Sequence, residues 1–164
     1  MEDKEYKLNF EFVPDSCWYS NLRSILSKKD WDFLRRDAYA RANGKCMICG
    51  RKVTRLEAHE RWDYDDENHV QILSDIIAVC HSCHEVIHYN RTALVGNPEK
   101  AEDHFMKVNK CSYVEMHSEL GKATELHKKR NEVSEWKLDL TLLKTTKTYA
   151  SKIDLSYLVE YIKE

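Results

Sequence analysis

Cys46-Met47-Ile48-Cys49 and, 30 residues further along, Cys80-His81-Ser82-Cys83 decide the fold that we expect for this sequence. Two residues between paired cysteines let both thiolates reach one metal ion, and four thiolates close a tetrahedral zinc site. A closed site has no open position for a substrate, so it is structural. We therefore predict a structural Zn²⁺, whose binding is coupled to folding of the central stretch, on four ligands: Cys46, Cys49, Cys80 and Cys83.

The alternatives for these cysteines are disulfides or free thiols. The N-terminal residues, Met1-Glu2-Asp3-Lys4-Glu5, are polar and lack an apolar core, so we expect no signal peptide and a cytoplasmic location. In a reducing compartment, paired cysteines bind metal more often than they form disulfides. The other two of the six cysteines, Cys17 and Cys111, are interpreted as packed thiols.

Three histidines in the same stretch predict a second metal site. His84 and His88 follow the second cysteine pair at a spacing of one helical turn, so two imidazoles can converge on one ion. His59 lies between the two cysteine pairs. Because the thiolates already complete the zinc site, these imidazoles are left to hold an ion that does chemistry. The remaining histidines are interpreted as ordinary polar residues: His69, His81, His104, His117 and His127.

The composition limits the classes of function. The chain has 164 residues, enough for one compact domain or for a small core with helical additions. Its net charge of −2 argues against coating nucleic acid by bulk charge, so any such contact needs a local basic face. No apolar run approaches the roughly 18 residues of a membrane-spanning helix, so we expect no membrane partner.

Capping and periodicity signals predict the elements before the cysteines. Residues 8–13 alternate apolar and polar side chains, which is typical of a short strand. Ser27 with Asp30 predicts the start of a helix, and Asn43-Gly44 predicts its end.

The central stretch is expected to be a knuckle followed by a hairpin and a helix. We place the hairpin around residues 52–57 and a loop at 62–70. Residues 72–79 fit either a buried strand or a turn of helix. Residues 83–90 are predicted to form the helix that carries His84 and His88 on one side.

The last third of the chain is predicted to be mainly helical. Pro98 and Ser112 each mark the start of a helix. The alternating apolar residues from Trp136 onward predict an extended segment, and residues 153–164 predict a short amphipathic helix.

The central stretch resembles the HNH endonucleases with a CxxC–CxxC zinc site, which are ββα-metal (treble-clef) nucleases. The resemblance covers about residues 44–90 and lies in the run Cys46-x-x-Cys49, Leu56-Glu57-Ala58-His59-Glu60, Asp75-Ile76-Ile77-Ala78-Val79-Cys80-x-x-Cys83-His84 and His88.

A narrower resemblance covers about residues 8–142. The chain is similar to a group of small bacterial and phage proteins usually labelled HNH endonuclease or HNH-like. Members share HExW after the first knuckle and a helical tail that ends in EWKLD. These motifs stand here as His59-Glu60-Arg61-Trp62 and Glu135-Trp136-Lys137-Leu138-Asp139.

The resemblance implies an α+β fold, with a treble-clef/ββα-metal zinc core and helical N-terminal and C-terminal additions. We expect residues 1–43 to form a strand and a helix that pack on the core. Residues 44–95 would form the zinc-binding HNH-like core, and residues 96–164 a helical C-terminal extension.

The resemblance also implies metal-dependent hydrolysis of phosphodiester bonds in DNA. A second divalent ion such as Mg²⁺, Mn²⁺, Ni²⁺ or Zn²⁺ would stabilise the leaving oxygen while a general base activates water. In the wider family, a metal-binding Asp or His precedes the catalytic His on the hairpin.

Two registers of that motif are possible here. If His59 is the base, Ala58 fills the ligand position and cannot bind. If His59 is the ligand, Glu60 fills the base position, and we prefer this register. It gives an ion site of His59, His84 and His88, with Asp75 in place of the motif's Asn, where it would orient the base and the hairpin. The expected catalytic set is His59, Glu60, Asp75 and His84.

The expected partner is DNA, through phosphate contacts from basic residues near the site: Arg51, Lys52, Arg55, Arg61 and Arg91. Nearby acids weaken this electrostatic argument: Asp63, Asp65, Asp66 and Glu67. The alternative function is a catalytically inactive zinc module that binds nucleic acid or a protein, for example as a phage or host defence regulator. A protein partner would use the C-terminal helices, and a homodimer is a further possibility, by analogy with double-strand cutting.

Overall fold

A long antiparallel hairpin organises the molecule, whose computed structural model describes residues 4–18 and 20–164. Strand β1 (Glu57–Asp65) pairs with β2 (Val70–Val79), and His59 lies opposite Ile77. A short strand β3 (Lys137–Asp139) runs parallel to β2, so the sheet order is β1-β2-β3. Residues 72–79 are therefore strand, which resolves the ambiguity left by their apolar sequence.

The hairpin is longer than the sequence predicted. The expected loop at 62–70 is strand as far as Asp65, and a turn occupies only residues 66–69. The expected hairpin at 52–57 is reduced to one isolated bridge between Lys45 and Lys52. Polar composition suggested a loop, but pairing with the apolar β2 continues beyond a bulge between Arg61 and Trp62.

Helix α2 (Lys28–Ala42) confirms the predicted capping signals. The Ser27 hydroxyl accepts a hydrogen bond from the Asp30 amide at 3.2 Å. Asn43 ends the helix in the left-handed region with φ 51°. A single-turn helix, α1 (Leu22–Ile25), precedes it.

Four helices follow β2. They are α3 (His81–Ile87), α4 (Tyr89–Val95), α5 (Pro98–Asn109) and α6 (Tyr113–Asn131). The helix predicted at 83–90 therefore begins earlier and is divided at His88, which lies between α3 and α4 with φ −99° and ψ 45°. The helices predicted from Pro98 and Ser112 are confirmed, and Ser112 forms a capping box with Glu115.

The C-terminal tail contains the single-turn helices α7 (Leu142–Thr145) and α8 (Lys147–Ala150). The amphipathic helix predicted at 153–164 is wrong, because this segment contains only a 3₁₀ turn at Val159–Tyr161. Backbone groups near the end bond elsewhere: the Leu140 amide donates to the Tyr161 carbonyl, and the Lys163 amide donates to the Thr141 hydroxyl.

The strand predicted at 8–13 is wrong, because the segment at 4–13 forms neither helix nor strand and does not join the sheet. Its backbone groups bond to helices instead. The Asn109 side chain donates to the Leu8 carbonyl at 2.9 Å and accepts from the Leu8 amide at 3.0 Å. The Glu11 amide donates to the Ile87 carbonyl at 3.1 Å. We call residues 4–13 the N-terminal strap.

The sheet separates two apolar cores, because successive residues of a strand face opposite sides. Ile76 and Ala78 of β2 face α2, whereas Ile77 and Val79 face α3. The first core is completed by buried side chains of α2 and of the C-terminal tail: Leu34, Ala38, Ala42, Leu140, Leu143, Tyr149 and Leu158. The second is completed by the strap and by α3, α5 and α6: Leu8, Phe10, Val86, Ile87, Phe105 and Met116.

This arrangement confirms the α+β class. A knuckle, hairpin and helix form the centre, and further helices precede and follow it in the sequence. The division at 1–43, 44–95 and 96–164 stays a prediction. Within the described ranges, we find no helix with the length and apolar character required to cross a bilayer.

Asn109→Ala tests how the strap is attached. The substitution leaves the amide and carbonyl of buried Leu8 without their side-chain partners. A buried polar group without a partner costs about 1–3 kcal/mol, so we expect the free energy of unfolding in urea to fall by about that amount. Asn90→Ala, at an exposed position, is the control and should change it by less than about 0.5 kcal/mol. Equal effects of the two variants would contradict the attachment.

Candidate metal centres

Four cysteine sulfurs meet where the knuckle touches the end of β2. The sulfur atoms of Cys46, Cys49, Cys80 and Cys83 lie within 4.8 Å of one another. The knuckle turns back at Gly50, whose φ of 77° is in the region that favours glycine. The Met47 amide donates to the Ala78 carbonyl at 3.0 Å, which ties the knuckle to β2. Cys80 then caps α3 and places Cys83 one turn into the helix.

The surroundings of the Cys46 sulfur favour the thiolate form that binds metal. The Cys46 sulfur accepts hydrogen bonds from the amides of Ile48 at 3.4 Å and Cys49 at 3.5 Å. A hydrogen bond from the Cys83 thiol, followed by those from backbone amides, lowers the pKa of Cys46 to about 4. The Cys80 sulfur accepts from the Cys83 amide at 3.4 Å. Four sulfurs this close, with amide donors around them, fit a structural Zn²⁺.

One histidine beside this cluster was missed by the sequence reasoning. His104 of α5 lies with its Nε2 at 3.2 Å from the Cys83 sulfur. The sequence predicts only an ordinary polar residue at this position, because α5 reaches the cluster by packing on α3 and no local pattern marks His104. Its N–H would donate to a thiolate and reduce the negative charge on the four sulfurs.

Three imidazoles form a second cluster on the α3 side of the sheet. His59 lies on β1. His84 lies within α3, and His88 caps the C-terminal end of that helix. Ring nitrogens of the three lie within 4.8 Å of one another. The ring centroids of His84 and His88 are 4.7 Å apart. The His59 centroid lies 5.6 Å from that of His84 and 5.4 Å from that of His88. The structure thus brings together the three histidines that the sequence singled out.

Burial keeps His84 and His88 in the form that can bind a cation. Burial, with the neighbouring His84 and His59, lowers the pKa of His88 to about 3. Burial also lowers the pKa of His84, against a hydrogen bond to Glu57 that raises it. Both rings are therefore neutral at pH 7, and a neutral imidazole offers one nitrogen lone pair to a metal ion.

Carboxylates hold two of these histidines, and the sequence reasoning missed both carboxylates. Glu57 Oε1 lies 2.9 Å from His84 Nδ1, and its other oxygen lies 2.8 Å from His81 Nδ1. Glu11 Oε1, from the strap, lies 3.2 Å from His59 Nε2. Glu57 shares a strand face with His59 at a spacing of two residues, which is a detectable signal. No such signal marks Glu11, because only tertiary packing brings the strap to β1.

Glu60, predicted as the general base, is not part of the histidine cluster. It follows His59 directly on β1, so its side chain projects from the other face of the sheet. There its Oε1 accepts a hydrogen bond from the Leu22 amide at 2.6 Å. Burial raises the pKa of Glu60 to about 7, partly offset by that hydrogen bond. The structure therefore places the predicted ligand His59, but not the predicted base Glu60, in the histidine cluster.

Asp75, predicted to orient the base, also does not contact the histidines. Its Oδ1 accepts a hydrogen bond from the Ile76 amide at 2.7 Å, and this is its only hydrogen bond to the part of the chain that the structure describes. Asp75 lies opposite Arg61 in the β1–β2 register. Its position supports a local backbone role in β2.

The basic residues proposed for phosphate contact divide into two groups. Arg61 shares the His59 face of β1, with its Nη2 at 3.7 Å from Glu11 Oε2. Arg91 of α4 lies near His88 and contributes, after burial and the neighbouring histidines, to the lowered pKa of His88. Arg51 instead lies against Ser82, beside the cysteine cluster. Lys52 and Arg55 are exposed on the knuckle side of β1.

The acidic residues of the hairpin lie away from the histidines. The acids from Asp63 onward are at least four residues beyond His59, which is roughly 13 Å along a strand. Asp66 is paired with Arg130 of α6 at 2.8 and 3.0 Å, and Asp65 binds the amides of Glu67 and Asn68 in the turn. The carboxylates of Asp65 and Asp66 stabilise the hairpin tip. They therefore oppose DNA binding near the histidines less than their position in the sequence suggested.

Comparison of the chain with family models, with curated proteins and with solved structures gave no match.

Cys80→Ser tests the cysteine cluster. Losing one of four thiolates opens the site, and we expect metal analysis to fall well below the zinc content of the parent. The unfolding temperature, followed by circular dichroism, should also fall, because metal binding and folding of the central hairpin and α3 are coupled. Cys111→Ser, outside the cluster, should leave both measurements unchanged. Full zinc content in Cys80→Ser would contradict the site.

Glu60→Gln tests the burial of that carboxyl. Because the pKa of Glu60 is raised from 4.5 to about 7, its contribution to stability is fully present below pH 4.5 and is lost as the pH rises through 7. Gln keeps an acceptor for the Leu22 amide and does not ionise. We expect Glu60→Gln to be more stable than the parent at pH 8, by on the order of 1–3 kcal/mol.

The measurement is urea unfolding of variant and parent at pH 5 and pH 8, with Glu67→Gln at an exposed position as the control. The difference between Glu60→Gln and the parent should shrink as the pH falls to 5. A difference that is the same at both pH values would show that ionisation of Glu60 is not the cause.

Proposed function

We propose that this protein is a metal-dependent HNH-type endonuclease that hydrolyses phosphodiester bonds in DNA. The supporting observation is the convergence of His59, His84 and His88 on one point beside the four-cysteine cluster. A structural zinc site and a separate set of imidazoles at the junction of a hairpin and a helix are the two parts that this function needs.

The donor set favours one class of ion. Three imidazoles suit Zn²⁺ or Ni²⁺ better than Mg²⁺ or Mn²⁺, which prefer carboxylate and water oxygens. Three protein ligands also leave positions for water and substrate, unlike the closed cysteine site. An ion held there would act as a Lewis acid toward the phosphate and the leaving oxygen.

The charges around the histidines support binding of a cation. The carboxylates of Glu11 and Glu57 contact His59 and His84 and compensate a buried positive charge. Arg61 and Arg91 flank the cluster and would bind the phosphates on either side of the reacting one. The DNA-binding face we propose is therefore confined to the α3 side of β1.

The position of Glu60 favours a second candidate function. With Glu60 on the opposite face of β1, the base expected from the motif is not at the cluster. The alternative is a zinc module that binds nucleic acid or a protein partner without cleaving it. It would keep the zinc-organised fold and use the arginines, or the C-terminal helices, for contact.

A cleavage assay separates the two candidates. Purified protein is incubated with supercoiled plasmid and with single-stranded DNA in Mg²⁺, Mn²⁺, Ni²⁺ or Zn²⁺. We expect cutting with Ni²⁺ or Zn²⁺, and a loss of at least about 100-fold in His59→Ala and His88→Ala, because each removes a ligand of the reacting ion. His117→Ala, an exposed histidine of α6, should cut like the parent.

Two results would contradict the proposal. Cutting that persists in His59→Ala would show that the histidine cluster is not the site. Retention of DNA on the parent protein in a mobility-shift assay, with no cutting under any of the ions, would favour the binding module.

A further inference from the structure

Glu11 contributes a carboxylate to the histidine cluster from outside the central motif. Its Oε1 lies 3.2 Å from His59 Nε2, and the His59 side chain is only 5% exposed. Its Oε2 is buried and has no hydrogen-bond partner among the described residues, and its one ion pair is with Arg61 at 3.7 Å. A buried carboxylate oxygen without a hydrogen bond is costly, so the placement of Glu11 beside His59 needs an explanation.

The strap holds this carboxylate in a fixed position. The Glu11 amide donates to the Ile87 carbonyl at 3.1 Å, at the end of the helix that carries His84. The preceding Phe10 stacks on Phe105 with ring centroids 4.6 Å apart and an interplanar angle of 6°. These contacts place Glu11 independently of His59, which is what a residue that orients another side chain requires.

A carboxylate at one ring nitrogen decides which nitrogen of a neutral imidazole is free. The carboxylate accepts a hydrogen bond, so the proton lies on the nitrogen that it contacts, and the lone pair lies on the other nitrogen. In carboxylate–histidine–metal arrangements this contact fixes both the tautomer and the ring orientation.

We propose that Glu11 is a positioning residue that fixes His59 as the Nε2–H tautomer and so directs its Nδ1 to the metal ion. His84 is held by Glu57 at Nδ1 and presents Nε2 instead. The two histidines would therefore bind one ion through different ring nitrogens. This inference rests on the ion site of the proposed function, but not on cleavage of DNA.

The geometry favours positioning over direct ligation by Glu11. The ligand atoms that lie within 4.8 Å of one another belong to the three histidines, and Glu11 is not in that group. The oxygen contact is with the ring nitrogen of His59 itself. Glu11 therefore contacts His59 without belonging to the group of converging ligand atoms.

The test is a calorimetric titration with Ni²⁺ of the zinc-loaded parent protein. The same titration is carried out on the variants Glu11→Ala, Glu11→Gln and Glu5→Ala. We expect Glu11→Ala to bind Ni²⁺ about 10–100-fold more weakly than the parent, the range for loss of such an outer carboxylate. Glu11→Gln keeps an acceptor oxygen and should recover most of the affinity. Glu5→Ala, an exposed acid of the same strap, should match the parent.

Tautomer assignment gives a readout that a purely structural role would not move. Long-range ¹H–¹⁵N spectra of ¹⁵N-histidine protein should show His59 protonated at Nε2 before ion addition, and bound through Nδ1 after titration with further Zn²⁺. Glu11→Ala should lose this tautomer preference while retaining its zinc at the cysteines, which shows that the variant is folded.

The outcomes separate this inference from the proposed function. A parent that binds Ni²⁺ while Glu11→Ala binds it equally well overturns the role of Glu11 alone. Binding of His59 through Nε2 does the same, because it leaves no N–H at that nitrogen to donate to Glu11. A parent that takes up no second ion overturns the proposed function together with this inference.

Discussion

The convergence of four cysteine sulfurs on one point is the constraint on which the rest of the structure depends. The knuckle after α2 and the junction of β2 with α3 are more than 30 residues apart in sequence, and the cysteine cluster fixes both ends of the β1–β2 hairpin between them. This fixes the position of α3 against β1. His84 and His88 can meet His59 only because that position is set, so the geometry of the second cluster follows from the first.

The sheet then divides the molecule chemically as well as physically. Adjacent residues of β1 face opposite sides, so His59 lies with the α3-side core and Glu60 lies with the α2-side core. A carboxyl that the motif placed beside the ion is instead buried against α1. The α3 side receives its carboxylates from Glu57 and Glu11, which hold histidines in place. The polar groups around the proposed ion are thus arranged to support ligands.

Capping residues and ligand spacing were readable from the sequence because they act locally. Ser27 and Asn43 cap the two ends of α2 as predicted. The spacing of the paired cysteines, and of His84 with His88, identified both clusters. Long-range pairing was not readable in the same way. The strap looked like a strand because its side chains alternate, yet its backbone groups bond to Asn109 and Ile87. The tail looked helical, yet Tyr161 bonds back to Leu140.

The sequence by itself determined the two sets of candidate ligands, four cysteines and three histidines, and the order of knuckle, hairpin and helix. These follow from residue type and spacing, which do not need distant contacts. Only the tertiary structure decided which side chains surround the ligands. Glu11 and His104 reach the two clusters from segments far away in the chain, and Glu60 leaves the site because strand geometry directs it to the other face. Face and packing are properties of the folded chain, so no local pattern encodes them.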